Sequence, residues 1–91
     1  MQAEDNSLGF LEAEGLVAVV EAADAMLKSA SVRLFFYQKV GAGLIALGVM
    51  GELGSVKTAL EAGELAARRH GEVISLVLSN PSPQVKAALG L

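Results

Sequence analysis

The chain has 91 residues, room for one hydrophobic core, and 53% of them are apolar, although so short a chain removes only about 60–65% of its unfolded surface from water. A net charge of −3, with Arg68–Arg69 the single adjacent basic pair, is the opposite of the basic face that nucleic acid requires. The absence of cysteine excludes disulfide staples, thiolate metal ligands and thiol catalysis.

The opening "MQAEDNS" is acidic and polar rather than positively charged, so residues 1–7 are expected to be a polar tail and the protein to stay in the cytosol. Residues 8–14, "LGFLEAE", read as a strand ended by Gly15. From about 16 to 30 the chain is alanine-rich and free of proline. Leu16, Val19, Val20, Ala23 and Leu27 recur at helical spacing, which predicts a helix buried along that face. In "VRLFFYQKV", 32–40, alternation sets Val32, Leu34 and Phe36 on one side and Arg33, Phe35 and Tyr37 on the other, a strand expected to meet protein on both faces.

"LIALGVM", 44–50, is a second strand, joined to the one before it by a tight hairpin through Gly41-Ala42-Gly43. The uncharged run Val40–Gly51 is twelve residues, short of the roughly 20 that cross a bilayer. The apolar surplus therefore points to self-association, not to a lipid membrane. Ser55 is placed to cap a helix from about 56 to 70, with Val56, Leu60, Gly63 and Ala67 inside and Lys57–Glu61 and Glu64–Arg68 as exposed pairs one turn apart. Gly71 ends it. "EVISLVLS", 72–79, is a fourth strand stopped by Pro81 and Pro83, and "PQVKAALGL" can form a last short helix.

Strand-helix-strand-strand-helix-strand predicts an α+β fold: a four-stranded, mainly antiparallel sheet with two helices on one face, a ferredoxin-like variant followed by a short C-terminal helix. That layout serves many unrelated functions. Glu12, Glu14, Glu21 and Asp24 read as surface carboxylates, with no second group converging on them for acid–base chemistry. His70 is accounted for by the end of a helix, whose dipole favours its charged form, and a lone histidine makes no metal site. Neither catalytic residues, nor a metal, nor a cofactor are expected. The glycine turn lacks the Lys-Ser/Thr ending of a phosphate-binding loop and joins two strands, so on its own it is a hairpin.

Three stretches, "LGFLEAEGL" (8–16), "EAADAMLKSASV" (21–32) and "YQKVGAGL" (37–44), supported by "GELGSVKTALEAGELAARRHGEV" (51–73), resemble the hexamer-forming, single-domain shell proteins of bacterial microcompartments. The resemblance implies a shell domain over residues 8–80, with 81–91 a tail or short helix. It also implies a flat homohexamer that packs edge to edge with other shell proteins around encapsulated enzymes, in the bacterial cytoplasm. By the same resemblance Val40, Gly41, Ala42 and Gly43 lie around a six-fold axis as a pore for small polar metabolites, with Lys39 near its mouth. Lys28 matches the lysine at the edge where two hexamers meet, and Asn80 and Pro81 fall where the family's edge-locking segment lies. That segment here reads "SNPSPQ" and lacks the family's arginine, and Ala42 stands where serine or glycine is usual. The family commonly has a basic residue where Glu14 stands. Apart from this resemblance, a small-molecule-binding regulatory domain of ferredoxin-like build is the alternative, and a small carboxylate enzyme ranks below it.

Overall fold

The computed structural model describes residues 4–91. Its elements run β1 (Ser7–Glu14), α1 (Leu16–Ser29), β2 (Arg33–Gly41), β3 (Leu44–Gly51), α2 (Leu53–Arg68), β4 (Val73–Ser79) and α3 (Pro83–Ala88). The four strands form one antiparallel sheet in the order β2-β3-β1-β4, so β1 and β3 are central and both outer strands are free along one edge. The α+β architecture and element order expected from the sequence are found.

Pleating divides the sheet. Leu11 and Ala13 of β1, and Ile45, Leu47 and Val49 of β3, point to one face and meet Ala18, Val19, Ala22 and Met26 of α1 and Val56, Ala59, Leu60 and Ala67 of α2. Each fully buried Leu, Val or Met contributes about 1.5–3 kcal/mol, and this layer between sheet and helices is the core. The two helices approach closely because Gly63 has no side chain: a Cβ there would sit 2.7 Å from Met26 Cγ. Among the described residues no helix packs on the opposite face of the sheet. On it Phe10 meets Phe35 and Phe36 edge-on, and the three ring centroids lie 5.8 to 6.1 Å apart.

Several local expectations change. The buried face of α1 is Ala18, Val19, Ala22 and Met26, whereas Leu16, Val20 and Leu27 are exposed. Ala18 and Ala22 fit the narrow space in the core, Met26 fills the room that Gly63 leaves, and Leu16, Val20 and Leu27 stay outside. In β2 a bulge between Leu34 and Phe36 breaks the alternation, so both phenylalanines reach the open face beside Phe10. As an edge strand β2 is mostly exposed in the single chain, not covered on both faces. Helix α2 starts at Leu53 with Glu52 at its N-cap, which places Ser55 inside the first turn, and it ends at Arg68. Its Glu64–Arg68 pair forms at 3.3 Å, and among the described residues Lys57 and Glu61 form no ion pair.

Of the expected tail, residues 1–3 lie outside the described residues. Asp5 is buried and paired with Arg33 of β2, and Ser7 opens β1. At the other terminus α3 is capped at both ends. Ser82 Oγ accepts a hydrogen bond from the Val85 N–H, Pro83 sits in the first turn, and Gly90 (φ 79°) follows it. Yet among the described residues no Cα of α3 comes within 8 Å of another helix or strand. The body measures 34 × 27 × 15 Å, a flat wedge.

Candidate functional site

The β2–β3 hairpin closes on the Gly41–Leu44 pair and leaves Ala42-Gly43 as a two-residue loop. Both loop residues have positive φ, 54° and 78°, the requirement of the hairpin turn that matches strand twist. Glycine meets that requirement freely at 43. Ala42 meets it at a cost of about 1–2 kcal/mol, because its Cβ crowds the following carbonyl in the left-handed region. The turn is held from behind by the Gly15 N–H, which donates to the Gly43 carbonyl at 2.9 Å. Residues 39 to 43 are all exposed, so Lys39, Val40, Gly41, Ala42 and Gly43 form one projecting tip.

Register fixes which side of the sheet the neighbouring charges occupy. Lys39 lies opposite Ile45, a core residue under the helices, so it leaves the backbone on the helix-covered side. Glu14 lies opposite Leu44, and Glu12 opposite Ala46, on the open side. The Glu14 side chain rests against the turn: its Cγ is 3.3 Å, and its Oε1 3.6 Å, from where a Gly43 Cβ would be. A cleft of about 600 Å³ beside it is lined by Glu12, Glu14, Leu44, His70, Glu72 and Ile74.

The carboxylates and His70 noted in the sequence do not converge on one point. Glu21 of α1 faces the end of α2, with His70 Nε2 at 3.2 Å and the Arg69 guanidinium at 3.4 Å, a contact between the two helices. Glu12 and Glu14 face the cleft. Among the described residues no three His, Asp or Glu side chains are grouped to hold a metal ion.

The remaining candidates lie at the other end of the sheet. Strand β1 ends beside the turn, at Glu14 opposite Leu44, and begins at Ser7 opposite Ser79. Its eight residues separate the two ends by roughly 23 Å. Helix α1 starts next to the turn and runs back, so Lys28 in its last turn is at the far end. Asn80 and Pro81 follow Ser79 there. Lys28 is exposed and its Nζ lies 2.8 Å from Asp24, whose hydrogen bond and negative charge raise the lysine pKa above its ordinary value. Asn80 adopts φ 51°, which asparagine tolerates, and its N–H donates to the Asn6 carbonyl at 2.8 Å.

Sequence reasoning missed two features. The Asp5–Arg33 pair spans 28 positions, and no local pattern announces it. The contact of Glu14 with the turn depends on strand register. Apolar side chains also remain uncovered. Leu16, Val17 and Val20 of α1 are 55–63% exposed, Leu65 is 73% exposed, and Tyr37 and Val40 stand out along the free β2 edge.

The profile of the BMC domain family matches residues 7–83. The chain is 46% identical over 87 residues to bacterial microcompartment shell protein PduA of Citrobacter freundii, covering 94% of each chain. It is 43% identical over 86 residues to carboxysome shell protein CsoS1 of Prochlorococcus marinus, covering 92% of this chain and 84% of that one. A crystal structure of a microcompartment protein from Desulfitobacterium hafniense superposes with a TM-score of 0.81 at 34% identity, over 91% of this chain and 46% of the other.

Proposed function

Because the chain belongs to the BMC domain family, we propose that it is a non-enzymatic structural shell protein of a bacterial microcompartment, a homohexameric tile with a central pore. Residues 8–80 form the shell domain, and the tiles join one another and sister shell proteins around enclosed enzymes in the bacterial cytoplasm. The turn at 40–43, flanked by Lys39, surrounds the six-fold axis and passes small polar metabolites. Lys28, Asn80 and Pro81 lie at the rim.

The observation that carries this reading is the polarity of the wedge. The projecting turn and the rim candidates stand at opposite ends of the sheet, as a tile with its hole at the centre and its seams outside requires. The exposed apolar side chains of α1 and the free β2 edge supply surface that identical neighbours would cover. A thickness of 15 Å suits a single-layer wall.

Native mass tests the ring. Six 9.4 kDa copies run near about 56 kDa, and a folded 9.4 kDa monomer at working concentration refutes the proposal. Micrographs of concentrated protein test the seams, which are expected to produce sheets or tubes.

A further inference from the structure

We propose that the two mouths of the pore carry opposite charge, basic on the helix-covered side and acidic on the open side, so that the pore favours neutral polar solutes over ions of either sign. This rests on the hexamer reading and adds to it the class of molecule admitted.

Lys39 and Glu14 are the charged groups nearest the turn, and register sends them to opposite sides of the sheet. Any axis through the turn normal to the sheet therefore meets Lys39 on one side and Glu14 on the other, each six times in a ring. The acidic side is reinforced by Glu12 and Glu72 in the adjoining cleft. His70 also lines that cleft but is held by Glu21 at 3.2 Å. On the basic side the first turn of α1, whose N-terminus carries partial positive charge, contains no acidic residue. An anion entering from the open side meets the Glu14 ring first, and a cation entering from the helix side meets the Lys39 ring. Leaving through the far mouth, each crosses from repulsion to attraction and is retained. A dipolar, uncharged molecule meets neither barrier and can hydrogen-bond to turn backbone.

The chain has no cysteine, so single thiols report local potential cleanly. Leu44→Cys lies opposite Glu14 on the open side, and Ala42→Cys lies at the tip between the two rings. Each is reacted at low ionic strength with a cationic, an anionic and a neutral methanethiosulfonate, with rates normalised to a free small thiol. The cation-to-anion rate ratio is expected above one at Leu44→Cys. Glu14→Gln is expected to lower that ratio at least threefold, and Lys39→Gln to leave it in place. At Ala42→Cys the neutral reagent is expected to react fastest, with Lys39→Gln raising the cation's rate and Glu14→Gln the anion's. A ratio at or below one at Leu44→Cys, indifference to Glu14→Gln, or a charged reagent fastest at Ala42→Cys in a sample of hexamer mass would overturn the proposal and leave the ring standing. A monomer mass would remove the ring and the proposal with it.

Discussion

Replacing Gly43 by alanine is expected to destabilise the subunit by about 1 kcal/mol, although alanine already occupies the neighbouring position. At φ 78° a Cβ meets the left-handed penalty of about 1–2 kcal/mol. Against it stands a gain of about 0.4–1 kcal/mol, because alanine has fewer unfolded conformations to lose. The new methyl also meets Glu14 Cγ at 3.3 Å, a contact that a flexible side chain relieves by turning away. The same chemical change at Gly54, in the first turn of α2 with only Glu52 Oε1 at 3.4 Å, is expected to stabilise by about 0.5 kcal/mol through helix propensity. Urea unfolding of both variants at one fixed subunit concentration makes the comparison, since self-association adds stability by mass action. A Gly43→Ala protein as stable as the parent would refute the reasoning about the turn.

Met26→Ala removes a fully buried side chain lodged against Gly63 and is expected to cost about 2–5 kcal/mol, read as a lower urea midpoint with an unchanged slope. Lys28→Ala breaks only an exposed pair with Asp24, so its urea midpoint should match that of the parent. Native mass should stay that of the ring, while sheets or tubes disappear from micrographs. Asp5→Ala releases Arg33, and limited proteolysis is expected to cut near residue 6 sooner than in the parent. Ala42→Ser adds a hydroxyl at the tip, and entry of polar solutes through the proposed tiles is expected to rise over the parent's.

The element order was legible because apolar periodicity switches cleanly between two and 3.6 residues, and because Gly15, Gly51 and Gly71 punctuate it. The turn was legible for the same reason, since few other uses exist for Gly-Ala-Gly between two apolar strands. The inner face of α1 was not. A periodicity reading favours the large Leu16, Val20 and Leu27, whereas the core takes Ala18, Val19 and Ala22, with Met26 in the space that Gly63 leaves. Nothing in "LFFY" announces that both phenylalanines point the same way, because a bulge is decided by how β2 meets β3. Glu14 shows the same limit at the candidate site. Its charge could be read from the chain, but its place beside Gly43 is a property of register, which pairs residues 30 positions apart.

The short helix α3 has a consequence of its own. It is closed at both ends by its own caps, and its Cα atoms stay more than 8 Å from those of every other described helix or strand. A segment that caps itself and leans on no other described backbone can be exchanged with little demand on the sheet.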